Sequence, residues 1–482
     1  MVLSRPQHRR LVAGPALTLL RGVPCDCRDG VRASGAVVGY RMSLALTYPL
    51  ASNARGHGAR WRRPATTLFF ALLLLASVIP GRFEISFDLF GVPVRAHEFL
   101  LVALFAMLVV FRLLEGPLSR PQNGNVPTIF SALFIYAALS LIWWSPVTEP
   151  DTSAMAWTLV ASAASLWSAY LVVRCQREGL HRFLSNLTIF IAVVAAMYTA
   201  QSFLNLGFRS EDDAAPDPTF GIDRVRGPLF GASLGGVILI PALAFALQEV
   251  ILGRNRRING LASAVLLVAC LSTGSRGALL GLGVLLALAT FSLRSTRQRV
   301  AFGSAVLVIG GLAGWLVFSR VSTDRFADME DASRAVTIET GINAIAEASI
   351  TQKFIGLGYA SYWRWYLVDA KGEASEMYGV YESRPAGITL YHAHSTPLLL
   401  AVELGVPGVA AAIALVSAIW RARKSSARQR LPTTVFAGLA GSAVTLATDL
   451  LIFKSPFLNL IWWSYVFGSI ELVDPKAGPL SA

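Results

Sequence analysis

"HSTPLLLAVELGVPGVAAAIALVSAIW", residues 394–420, carries a single charged side chain, Glu403. Wound as a helix at about 1.5 Å per residue, the run is roughly 40 Å long, more than the ~30 Å hydrocarbon core of a bilayer requires. Working outward, comparable runs recur at 64–81, 96–114, 127–145, 152–173, 183–206, 229–252, 258–273, 276–293, 299–319, 432–453 and 457–473. The 482 residues are 54% hydrophobic and 15% charged, where a soluble domain carries about 25% charge. Barrel strands would alternate apolar and polar residues over ~10 positions, and these runs do not. The expected fold is therefore an all-α polytopic membrane protein with twelve transmembrane helices in one membrane domain, residues 64–473.

Orientation follows from the connections. With the N-terminus in the cytoplasm, and with the tail and the longest loop left out, 17 Lys and Arg fall inside against 7 outside. The bias works through short loops near helix ends, such as "LGRNRRING", "LRSTRQRV" and "WRARKSSARQR". Residues 1–66 add eleven Arg against two Asp, and 1–63 read as a basic cytoplasmic tail, disordered or partly an over-long gene start. The net charge of +13 thus reports topology and not a nucleic-acid face. Four cysteines, Cys25, Cys27, Cys175 and Cys270, form no metal or disulfide framework.

The outside connections look different. Residues 207–228 are acidic and then bear Arg224 and Arg226. The loop 320–393 is far longer than ordinary connections, and such loops are functional or disordered. From Tyr359 to Tyr391 this one holds six of the twelve tyrosines together with Trp363 and Trp365, a composition suited to a small core or a sugar platform. Arg276 opens the eighth expected span in "STGSRGALLG", Arg334 lies in the long loop, and His392 and His394 end it. All fall on the outer face.

Snorkelling to headgroups is the ordinary use of an arginine at a helix end. Positive charge is disfavoured outside, however, so Arg224, Arg226 and Arg276 run against the bias. Guanidinium binds phosphate oxygens in a bidentate manner, and a helix N-terminus favours anions, so converging arginines suit a diphosphate. Imidazole titrates near neutrality and can take a proton from a sugar hydroxyl. Glu403 lies about 13 Å deeper than His394 and on the opposite helix face, so it and Asp449 read as structural anchors. Glu98 and Glu249 lie near span ends. There is no GxxxxGK[ST], no strand-borne GxGxxG and no loop Asp-x-Asp, so the chemistry draws on an activated lipid and not on a nucleotide sugar.

Three stretches in order, "ACLSTGSRGALLGLGVLLAL" (269–288), "SRAVTIETGINAIAEASITQKFIGLGYASYW" (333–363) and "HAHSTPLLLAVELGVPGVAAAIAL" (392–415), resemble the O-antigen ligase and O-antigen polymerase superfamily over 269–415. The resemblance implies a metal-independent glycosyltransferase without cofactor in the bacterial inner membrane. Such an enzyme moves a glycan from a polyprenyl diphosphate carrier to a lipid A core, or to a second carrier-linked glycan, on the periplasmic face. It implies His394 and Arg276 as catalytic, with Arg276 and Arg224 or Arg226 on the diphosphate and Arg334 as the loop arginine. Ser395 stands where many members have Asn beside the histidine; His392 joins the substrate contacts, and Glu403, Gly405 and Gly408 form the "E-L-G-x-x-G" of the pattern. The rival readings are a repeat-unit polymerase, a lipid-linked glycan transporter and a non-catalytic assembly subunit. A transporter calls for paired charges near the midplane, whereas the charges here cluster at one face.

Overall fold

The computed structural model describes residues 54–78, 86–89, 92–115, 126–143, 149–176, 179–204, 235–293, 295–318, 332–360, 395–428, 434–448 and 455–472. The chain divides into residues 1–51 and 52–482, and every described residue belongs to the second unit. In order come α1 (Ala54–Val78), strands β1 (Ser86–Leu89) and β2 (Val92–Arg95), α2 (Ala96–Glu115), α3 (Val126–Trp143), α4 (Glu149–Cys175) and α5 (Leu180–Leu204). Then follow α6 (Gly235–Leu252), α7 (Arg256–Ser272), α8 (Arg276–Ser292), α9 (Thr296–Phe318), α10 (Ala332–Glu347) and α11 (Ile350–Ile355). The last three are α12 (Thr396–Arg428), α13 (Thr434–Ala447) and α14 (Pro456–Glu471).

A helix that is apolar all round has no solvent face and belongs inside. Helix α14, "PFLNLIWWSYVFGSIE", is such a helix, and every one of its residues is buried. It packs chiefly on α4. Trp463 stacks on Phe467 at 5.3 Å and meets Phe130 of α3 edge-on at 4.9 Å. Two of its polar side chains reach neighbouring helices: Tyr465 shares a 2.8 Å hydrogen bond with Thr188 of α5, and the Trp462 indole N–H donates to Ser442 Oγ of α13 at 3.2 Å. At its C-terminus the Arg174 guanidinium donates to both Glu471 carboxylate oxygens, at 3.1 and 3.3 Å.

A second nucleus joins α6, α8 and α13. Their backbones meet across small residues: a Cβ on Gly281 would collide with the Gly441 carbonyl, one on Gly441 with the Gly281 carbonyl, and one on Gly438 with Ala244. Between apolar helices in lipid the hydrophobic effect contributes little, so close van der Waals contact of this kind drives association.

Helices occupy all twelve places where spans were expected. Among the described residues, four are long and apolar enough to cross a membrane, within Ala156–Cys175, Leu180–Ala200, Gly235–Leu252 and Thr396–Ser426. Shorter apolar helices lie at 63–77, 126–141, 276–292 and 434–447. Among the described residues the fold is all-α apart from one short hairpin, in which β1 and β2 pair antiparallel with Ser86 opposite Arg95 and Leu89 opposite Val92; the alternation in "SFDL" and "VPVR" is too brief to show beside the helical runs. Helix α1 begins at Ala54, its arginine-rich first turns running into the apolar segment, so the end of the expected tail is helical. The rest of the tail, residues 1–53, lies outside the described residues. Within the expected long loop, α10 and α11 are helical.

Candidate functional site

Helix α12 breaks where its sequence dictates. In a regular helix the N–H of residues 406 and 407 would serve the carbonyls of Val402 and Glu403. Gly405 adopts φ 57°, ψ −140°, outside the helical region, which only glycine enters readily. Residue 407 is proline and has no N–H to give. Two carbonyls in an apolar helix are thereby released, and each costs about 1–3 kcal/mol if buried without a donor.

The donors come from the long loop. Leu357 N–H reaches the Val402 carbonyl and Gly358 N–H the Glu403 carbonyl, both at 2.9 Å. The segment that delivers them is built locally. Ser349 and Gln352 form a capping box that starts α11. Gly356, at φ 80°, ends that helix and lays the following backbone into the break. The approach is so close that a Cβ on Gly356 would stand 2.5 Å from the Glu403 carbonyl carbon and 2.7 Å from Gly405 N. Helix α3 supports the far side, because Tyr136 Oη donates to the Ile355 carbonyl and Tyr359 N–H donates to Ser140 Oγ at 2.8 Å. Burial, and after it the neighbouring Glu403 carboxylate, push the Tyr359 phenol above its ordinary value. It therefore stays a neutral hydroxyl at working pH.

Arg276 sits in a second backbone turn. Gly274 at φ 59° reverses the chain between α7 and α8, Thr273 Oγ1 accepts from Ser275 N–H at 3.3 Å, and Ser275 Oγ caps α8 by accepting from Ala278 N–H at 3.3 Å. Arg276 is the first residue of α8 and is half-buried. Beneath it Gly277 lets α13 approach: a Cβ there would strike Thr448 Oγ1, while Thr445 Oγ1 donates to the Gly277 carbonyl at 3.2 Å. The helix terminus that carries the guanidinium is thus anchored to the α6–α8–α13 nucleus.

Ser395 stands just before α12, with its hydroxyl accepting from Leu398 N–H at 3.5 Å and its carbonyl from Leu399 N–H at 2.9 Å. Its oxygen is occupied as a cap and its O–H remains a donor. Glu403 is 2% exposed and lies beside the 356–359 segment. Gly408 lets the chain fold back on itself past the break, since a Cβ would collide with the Leu400 carbonyl. Arg334 lies on α10. Arg224, Arg226, His392, His394 and Asp449 lie outside the described residues, as do Trp363 and Trp365. Helix α8 packs on α6 and α13, and α12 on α3, α10, α11, α13 and α14, so α13 is a neighbour common to the helix that starts at Arg276 and the helix that starts after Ser395. The two remaining acids have partners. Glu98 accepts from the Trp157 indole N–H at 2.8 Å, and Glu249 lies 2.7 Å from His181 Nε2.

Sequence reasoning noticed "GLG" and "ELGVPG" but missed that one supplies donors to the other, and it missed Tyr136 and Ser140. The available signal was a proline two residues after a glycine inside an apolar run, which announces unpaired carbonyls.

The apolar helix bundle and the satisfied break in α12 define a multi-pass membrane protein. Residues 261–413, from α7 through the break, match the sequence family described as O-antigen ligase. Over that region the chain is O-antigen ligase-related. No curated protein matches it.

Proposed function

We propose that this protein is a membrane glycosyltransferase that moves a glycan from a polyprenyl diphosphate carrier to an acceptor hydroxyl, acting as a ligase onto a lipid A core. The observation that carries the reading is the O-antigen ligase match at residues 261–413. Its bounds enclose Arg276, Arg334, the 356–359 segment, His394 and the broken part of α12. In this reading the twelve helices cross the bacterial inner membrane, and the starts of α8 and α12 face the periplasm.

Arg276, with Arg224 or Arg226, holds the diphosphate and neutralises the charge that grows on it as the glycosidic bond to phosphate breaks. His394 takes the proton of the acceptor hydroxyl while that oxygen bonds to the anomeric carbon. Arg334, His392 and Ser395 contact the substrates. The chemistry asks for no metal, because guanidinium supplies the positive charge.

The test is reconstitution in lipid with a polyprenyl diphosphate-linked glycan, with and without a lipid A-core acceptor. Product on the lipid A core is the expected result. Longer carrier-linked chains formed without that acceptor would make the protein a polymerase. Full transfer by His394→Ala would remove the histidine from the mechanism.

A further inference from the structure

Helices α7, α8 and α9 carry no carboxylate: the sequence has no Asp or Glu from Val250 to Thr323. Helices α7 and α8 are each 17 residues long, and residues 273–275 and 293–295 are the short turns on either side of α8. The chain therefore comes back, after α8, to the level at which α7 began, and α9 packs on both helices. The N-termini of α7 and α9 stand at the end of α8 opposite Arg276. Each brings two exposed arginines in its first turn, Arg256 and Arg257 on one and Arg297 and Arg299 on the other. We propose that this patch of four guanidiniums binds the head of an anionic phospholipid, in the leaflet away from Arg276, with the acyl chains on the bare faces of α7, α8 and α9.

The placement of charge carries the proposal. A helix N-terminus is the positive end of the macrodipole, so a cation there is unfavourable and an anion is favoured. Neither first turn holds an acid. The caps are neutral too: Asn255 gives α7 no side-chain hydrogen bond, and Ser295 and Gln298 close α9 by reciprocal bonds of 3.1 and 3.4 Å. The helices packed against this unit, α5, α6 and α13, bring one carboxylate, Glu249, which is buried and lies 2.7 Å from His181 Nε2. None of the four arginines has an acidic partner among the described residues. Arg299 Nε donates to the Leu293 carbonyl at 2.8 Å, which ties the start of α9 to the end of α8 and leaves both NH2 groups of that guanidinium for a phosphate.

The charge bias of inside loops accounts for arginines in these connections, but it does not set them on helix N-termini. The end of α12 shows the contrast. Arg421, Arg423 and Lys424 lie near a helix C-terminus, where cations are favoured, and Arg423 and Lys424 sit over the Trp420 ring at 4.9 and 5.5 Å. Those cations are already compensated, and the four on α7 and α9 are not.

The apolar surface decides that the anion is a lipid. Within about two turns of the patch Leu261, Phe291 and Val300, one from each helix, are 68%, 73% and 62% exposed. A soluble phosphate or a polynucleotide would meet the guanidiniums alone, whereas a phospholipid covers both surfaces. Basic pockets between membrane helices hold anionic headgroups in this way.

The test is thermal unfolding of the delipidated full chain in a neutral maltoside detergent, titrated with phosphatidylglycerol and, in parallel, with phosphatidylcholine, inorganic phosphate and a single-stranded oligonucleotide. Phosphatidylglycerol should raise Tm, with a half-saturation point that moves up with salt; the other three should not raise it. Arg257→Gln with Arg297→Gln should weaken half-saturation roughly 25-fold, at about fivefold for each basic residue. Without lipid this variant should melt no lower than wild type, because two cations have left positive helix ends. Arg421→Gln with Arg423→Gln makes the same charge change on α12 and should leave the titration unchanged.

Equal weakening by the two pairs would make the patch one part of a general basic belt and overturn the proposal. An equal response to phosphatidylcholine, or a rise in Tm with inorganic phosphate or the oligonucleotide, would do so as well. Lower melting of the Arg257 and Arg297 variant without lipid would assign these arginines to the fold itself, again overturning it. None of these readouts depends on glycan transfer.

Discussion

Gly356→Ala should be among the most damaging single-methyl changes in the molecule. Residue 356 adopts φ 80°, ψ 173°, a region essentially restricted to glycine, where another residue costs on the order of 1–3 kcal/mol. The new Cβ would also stand 2.5 and 2.7 Å from backbone atoms of residues 403 and 405. Backbone cannot rotate aside, so the 356–359 segment must withdraw. Its withdrawal strands the carbonyls of Val402 and Glu403, each worth about 1–3 kcal/mol when buried and unpaired. Together the losses are roughly 3–9 kcal/mol, a large share of the 5–15 kcal/mol that holds a typical domain folded.

Thermal unfolding of purified protein in one detergent would measure this against Gly283→Ala. That glycine lies within α8 with nothing near its missing Cβ, so alanine there should be neutral or stabilise by up to ~1 kcal/mol. The two effects at the break should not add. Gly405→Ala disturbs the same contact, so once either methyl has expelled the segment the second costs little. Pro407→Ala should soften the Gly356→Ala effect, because a restored N–H can serve the Glu403 carbonyl. Equal melting of Gly356→Ala and Gly283→Ala, or additive loss in the double variant, would refute the account of the break.

Removing one partner of the buried Arg174–Glu471 pair, as in Glu471→Gln, should cost about 3–5 kcal/mol by leaving a charge uncompensated, read as lower Tm; Arg174→Met with Glu471→Leu should recover much of it. Gly281→Leu or Gly438→Leu should separate α8 or α6 from α13 and lower Tm by more than leucine at Gly283 does, since both meet a facing helix directly. Arg276→Lys keeps the charge but loses the bidentate fork, so transfer should fall at least tenfold with Tm unchanged. An unchanged rate would remove Arg276 from the diphosphate site.

Helix positions were legible because crossing a bilayer imposes a local condition: a run of about twenty apolar residues satisfies it whatever the rest of the chain does. The run at 394–420 met that condition on its own, and α12 stands there. Candidate site residues were legible by type, as arginines and histidines placed against the charge bias at span ends. Whether they converge was not legible, because no periodicity links Arg276 to position 395. Nor did hydropathy rank the helices. The run 457–473 is short and looked weak, yet α14 is wholly buried, since burial depends on the neighbours that Trp463 and Tyr465 find on α3 and α5. Gly405 and Pro407 by themselves determine that α12 must release two carbonyls. Only the tertiary structure decides that the N–H groups of Leu357 and Gly358 close the gap. Hydrogen-bond deficits are written locally in a sequence, and the groups that fill them are brought by packing from elsewhere in the chain.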